Sequence, residues 1–153
     1  MKKFSIFLGI LATSSLLFMA CSKDIDGDDD RAIQAYAAEN GFPTPPLDTS
    51  GVVYKILAQG NSNTPINTSI VEVYYTCRSL SGTIYDQRVS PASPLQFILK
   101  DLIKGWIFGL PKIGEGGSII LLVPSRYAYG TSGAGAIPPN TPLRFDIELL
   151  SVN

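Results

Sequence analysis

After Gly51 the apolar positions fall into short runs rich in β-branched and aromatic residues, separated by Gly, Pro and Ser. Residues 52–57, 70–80 and 83–87 read as strands, and Ser81-Gly82 supplies a tight hairpin turn between the last two. Residues 95–99, 118–123 and 143–150 add three more strands. One short helix is predicted over 103–110 and ended by Pro111. A sheet of this size with a single helix must fold across it to bury Trp106 and Ile107, which makes the class α+β. Further upstream, Asp30 is placed to cap a helix running to about Asn40, with Gly41 in the stop position. Ile33, Tyr36 and Ala37 share one face of that helix. Phe42-Pro43-Thr44-Pro45-Pro46 then reads as an extended, proline-stiffened linker.

The residues before Asp30 follow different rules. Lys2-Lys3 precedes an apolar stretch over 4–19, and Ala20 stands directly before Cys21. This resembles a bacterial lipoprotein signal, in which the cysteine is acylated and becomes the first residue of the mature protein. An ordinary signal peptide or a short membrane anchor is the alternative, although a spanning helix needs roughly 20 apolar residues. Residues 22–30 carry five acids against one base and are expected to stay solvated as a tether. An acidic run after the lipid cysteine also resembles the surface-export signal of some Gram-negative lipoproteins. The expected organisation is a signal over 1–20, a tether, helix and linker over 21–50, and a folded domain over 51–153.

Composition narrows the chemistry. The 153 residues carry a net charge of -1 and no His, and Lys2-Lys3 is the longest basic run. A nucleic-acid partner, which calls for a clustered basic face, is not expected. Without His, triad hydrolysis and His-ligated metal sites are disfavoured, and neither a metal nor a cofactor is expected. There are two cysteines. If Cys21 carries lipid, Cys77 has no partner within the chain, and it reads as a small buried apolar residue.

Four segments in order resemble the FKBP family of peptidyl-prolyl isomerases. They are Val71-Glu72-Val73-Tyr74-Tyr75-Thr76 with Tyr85-Asp86; Phe97 with Leu102-Ile103-Lys104-Gly105-Trp106; Val123 through Ala128-Tyr129-Gly130; and Ile137-Pro138-Pro139-Asn140 with Phe145-Asp146-Ile147-Glu148-Leu149-Leu150. The resemblance implies a curved antiparallel sheet wrapped around one short helix, here with an N-terminal helical extension. It also implies catalysed isomerisation of X-Pro bonds in exported proteins. Such a bond crosses a barrier of about 18–20 kcal/mol set by amide resonance, and no covalent bond breaks. An accelerator therefore needs no nucleophile. It must bind the twisted amide better than the planar one.

Carried over residue by residue, the resemblance makes Trp106 the pocket floor, with Tyr75, Tyr85 and Phe145 as walls. Leu102 and Ile103 would line one side, the Ile103 N–H facing the substrate carbonyl, and Ile137 would close the opposite rim. Asp86 would be a buried polar group anchoring tyrosine hydroxyls, and Tyr129 would hydrogen-bond substrate. Leu95 stands at an aromatic wall position of the best-known members, so that wall should be less aromatic. Cys77 replaces a Gly, and Ala134-Gly135-Ala136 makes a small loop tip. Ile107 and Phe108 stand where relatives often carry acids. They are expected to be covered by the Ile33-Tyr36-Ala37 face, to form a client patch extending the pocket, or to be partly buried. The implied partners are proline-containing polypeptides, macrolides such as rapamycin, and a membrane reached through the lipid anchor. The expected form is a monomer lipid-anchored in the bacterial envelope, at the outer membrane. The competing reading is a chaperone-like binding module with little turnover.

Overall fold

The computed structural model describes residues 25–43 and 50–153. Cys21, the signal-like segment and linker positions 44–49 lie outside them. Helix α1 (Ile25–Glu39) precedes strands β1 (Val53–Ala58), β2 (Ile70–Ser79), β3 (Ile84–Arg88) and β4 (Leu95–Ile98). Helix α2 (Lys104–Gly109) comes next, then β5 (Ser118–Val123) and β6 (Leu143–Val152). All pairings are antiparallel, in the order β1-β5-β6-β2-β3, with β4 also on β2. Along its free edge β2 therefore takes β4 beside Ile70 to Val73 and β3 beside Tyr75 to Arg78. Register shifts at Glu72/Val73 and Cys77/Arg78 bend the sheet where it must wrap.

The concave face holds the main core. Val71 and Val73 of β2, Ile119, Leu121 and Val123 of β5, and Phe145, Ile147 and Leu149 of β6 close around Trp106 and Leu110. Helix α2 sits hard against β5 because it carries glycine at the contact. A Cβ on Gly105 would stand 2.4 Å from Val123 Cγ1, and one on Gly109 2.5 Å from Leu121 Cδ1. Pro111 does not simply end this helix. It lies in the opening turn of a 3-10 segment, Leu110–Lys112, where a missing N–H costs nothing.

Helix α1 closes the convex face over a second cluster of Ile33, Ala37, Phe42, Val53, Ile120 and Leu122. Gly41 has φ 65°, and the Phe42 N–H reaches back to the Ala37 carbonyl at 3.0 Å, so the helix stops where its sequence says. Its start differs from expectation. The helix begins at Ile25, not after an Asp30 cap, and residues 25–30 are no solvated tether. Asp26 and Asp28 sit in the first turn, where the helix dipole favours acids. Asp29 and Asp30 have found partners on the folded domain: the Ser125 N–H at 2.7 Å and the Arg126 guanidinium at 2.8 Å. At the other end, Arg144 Nη1 donates to the Tyr36 hydroxyl at 2.7 Å. Apolar residues on both faces of the sheet are what brought the helix there.

Candidate functional site

A cavity of about 430 Å³ opens between α2, the concave face and the loop over 130–140. Trp106, at 4% exposure, is its floor. Three rings meet the indole edge to face: Tyr75 at 5.5 Å and 81°, Phe145 at 5.6 Å and 87°, and Phe97 at 6.4 Å and 86°. Such pairs contribute about 0.5–1.5 kcal/mol each beyond burial, and they fix the ring planes. Tyr75 and Phe145 come from adjacent strands, β2 and β6, on positions whose side chains point inward. Leu102 and Ile103 supply one side, Tyr85 the β3 side, and Ile137 the far rim. The rim is stiff. Ala134 and Ile137 exchange backbone hydrogen bonds of 3.0 and 2.8 Å across the loop tip.

The polar groups sit at the mouth. Asp86 accepts a hydrogen bond of 2.5 Å from the Tyr75 hydroxyl. It is exposed, however, and not the buried anchor expected. β3 is an edge strand paired only with β2, so nothing beyond it covers this carboxylate. Burial, followed by the hydrogen bond to Asp86, pushes the Tyr75 phenol well above its ordinary range. Burial also raises the Tyr129 phenol, with Cys77 and Asp86 adding to the effect. The Cys77 thiol is pushed up to about 12, by burial first and then by Asp86. All three groups stay protonated at neutral pH. The cavity thus offers neutral hydroxyls and an apolar thiol, and no thiolate nucleophile.

Nine of the ten pocket residues expected from the sequence line this cavity, and the tenth does not. Leu95 pairs with Val73 at the start of β4 and stays out of the lining. Phe97, two residues on and on the same face, carries the wall against Trp106, so that side is aromatic after all. Cys77, Ala134, Gly135 and Ala136 also line the cavity. The period of two from Tyr75 already pointed Cys77 inward.

Ile107 and Phe108 lie outside the lining. Ile107 packs against the main core, whereas Phe108 is 38% exposed and sets its ring on Tyr127 at 5.4 Å. Helix α1 does not cover them. Its Ile33-Tyr36-Ala37 face is taken up by Val53, Ile120 and Leu122 on the opposite side of the sheet.

A curved sheet wrapped on one short helix, with an aromatic-lined cavity between them, defines the class of domain. The chain belongs to the FKBP-type peptidyl-prolyl cis-trans isomerase family, whose model matches residues 61–150. A probable FKBP-type peptidyl-prolyl cis-trans isomerase of Haemophilus influenzae is 42% identical over 105 residues, covering 68% of this chain and 44% of that protein. The FKBP-type isomerase FkpA of Escherichia coli is 37% identical over 119 residues, 78% of this chain and 43% of that protein. The chain thus spans less than half the length of both relatives. The crystal structure of Escherichia coli FkpA superposes with a TM-score of 0.75 at 35% identity, over 85% of this chain and 60% of that one. A peptidyl-prolyl isomerase from Pseudomonas syringae gives 0.72 at 32% identity, over 84% and 93%.

Proposed function

We propose that this protein is a peptidyl-prolyl cis-trans isomerase acting on X-Pro bonds of exported polypeptides. The observation that carries the reading is the Trp106 floor, ringed edge-on by Tyr75, Phe97 and Phe145. The prolyl ring seats on the indole. The apolar walls withhold hydrogen bonds from the charge-separated planar amide, which lowers the cost of leaving planarity. The Tyr129 hydroxyl and the Ile103 N–H orient the twisted carbonyl. Ile103 is the N-cap of α2, so its amide precedes the helical ladder and is free of it. Asp86 fixes the Tyr75 hydroxyl and, with it, the ring. An acceleration of ten-thousandfold corresponds to about 5.4 kcal/mol, within the range of a few such contacts. The same cup suits the ring of a macrolide such as rapamycin, and the domain works as a monomer.

Protease-free kinetics on a short X-Pro peptide test this directly. Catalysis is expected from the wild type, and a several-fold slower rate from Asp86→Val. Because Asp86 is exposed, that variant should melt with the wild type. A wild-type rate equal to the uncatalysed one would leave the chaperone-like binding module. Full activity in Asp86→Val would remove Asp86 from the mechanism.

The location belongs to the same proposal. The Lys2-Lys3, apolar run and Ala20-Cys21 pattern supports acylation at Cys21 and residence at the outer membrane, on its periplasmic or outer face. Cys21→Ser is expected to abolish lipid labelling and move the protein from the membrane fraction to the soluble one. Retention through an alkaline wash would overturn the anchor.

A further inference from the structure

We infer that Asp29 of helix α1 is a positioning residue for the cavity, acting on the segment that carries Tyr129. The inference rests on the isomerase reading for what that cavity does. Asp29 is 4% exposed and Ser125 3%, and few polar side chains among the described residues are so deeply buried. A buried carboxylate is costly unless it is hydrogen-bonded. Here Oδ2 accepts the Ser125 N–H at 2.7 Å, joining positions 96 residues apart. Bonds of this charge-assisted kind are roughly twice as strong as neutral ones.

Ser125 in turn anchors the next five residues of the chain. Its carbonyl accepts the Ala128 N–H at 2.9 Å and the Gly130 N–H at 2.8 Å, the residues on either side of Tyr129. The Gly130 carbonyl then takes the Asn140 N–H at 2.8 Å, closing the base of the rim loop. Tyr129 itself accepts from the Gly133 N–H at 3.1 Å. Asp29 is therefore one peptide unit removed from both flanks of a cavity tyrosine. Its neighbour tightens the same grip: Asp30 holds Arg126 at 2.8 and 3.2 Å, and the Ser50 carbonyl accepts from that guanidinium at 3.0 Å. Ile33 and Ala37, both fully buried on the convex face, make the helix a fixed reference for these bonds. The helix lies behind the sheet, yet its carboxylate sets where the mouth of the cavity stands.

The test compares Asp29→Ala, Asp29→Asn and Ile33→Val in the full chain. Amide hydrogen exchange reads position without reference to activity. Asp29→Ala is expected to speed exchange at Ala128 and Gly130 at least about tenfold more than at Leu121 of β5, since the local opening is no longer coupled to the core. Asp29→Asn, which keeps an acceptor, should restore most of the protection. Ile33→Val should move all three amides together, as a general loss of stability does. In X-Pro kinetics Asp29→Ala should lower kcat/KM about tenfold, a loss of about 1.4 kcal/mol in the transition state, with Asp29→Asn near wild type. Exchange at Ala128 and Gly130 that tracks Leu121 overturns the inference. So does an undiminished kcat/KM in Asp29→Ala. Should Asp29→Ala not fold, Asp29→Glu displaces the acceptor by one methylene and is judged by the same readings. An inert wild type would sink the isomerase reading alone, and the exchange pattern would still decide whether Asp29 positions the segment.

Discussion

Trp106→Leu is expected to lower kcat/KM on an X-Pro peptide by at least about tenfold while the domain stays folded. Leucine preserves an apolar floor but removes the flat surface on which the proposed mechanism seats the prolyl ring, and with it three edge-to-face contacts. Phe145→Ala should also lose activity, for a less specific reason. Phe145 is 3% exposed, and deleting a buried ring typically costs about 3–5 kcal/mol of stability. Thermal melting recorded beside the rates separates the two effects. A Trp106→Leu variant with wild-type kcat/KM would take the indole out of the proposed mechanism.

The second large effect is on stability. A chain beginning at Gly41 lacks helix α1 and uncovers Val53, Ile120 and Leu122, at 1%, 8% and 0% exposure in the intact protein. Each buried aliphatic side chain is worth about 1.5–3 kcal/mol relative to exposure, so a loss of about 3 kcal/mol or more is expected. That corresponds to a melting temperature lower by roughly 10 °C. The bare face should bind a hydrophobic dye, and Ile120→Thr in the truncated chain should reduce that binding. An unchanged melting temperature would show that α1 contributes nothing to holding the sheet.

What the sequence discloses depends on how far apart the deciding residues stand. Strands and α2 are legible because their signals are local: β-branched runs, the Ser81-Gly82 turn, Gly41 after a helical face. The membership of the cavity is legible only through the order of four separated motifs, since no single aromatic distinguishes a pocket wall from core. The start of α1 is hidden. An acidic run looks solvated until Ser125 and Arg126, nearly a hundred residues later, arrive to bind it. Leu95 and Phe97 share a face of β4, and the choice between them turns on which side chain reaches Trp106. The exposure of Asp86 comes from β3 lying at the edge of the sheet, a matter of topology that its flanking residues do not express.

Strand β5 raises a question of registration. Ile119, Leu121 and Val123 face one core and Ile120 and Leu122 the other, so the strand is apolar on both sides. In an ordinary half-buried strand, a slip by one residue throws every apolar side chain into water and is self-correcting. Here the same slip would exchange one greasy surface for another, and hydrophobicity alone would scarcely notice. The two faces still differ in shape, because the notches at Gly105 and Gly109 lie against one of them. Val123 and Leu121 fill them, so close that an added Cβ would stand 2.4 or 2.5 Å away. Two missing methyl groups on a six-residue helix thus mark, in shape, the one face of a doubly greasy strand that lies beside the indole.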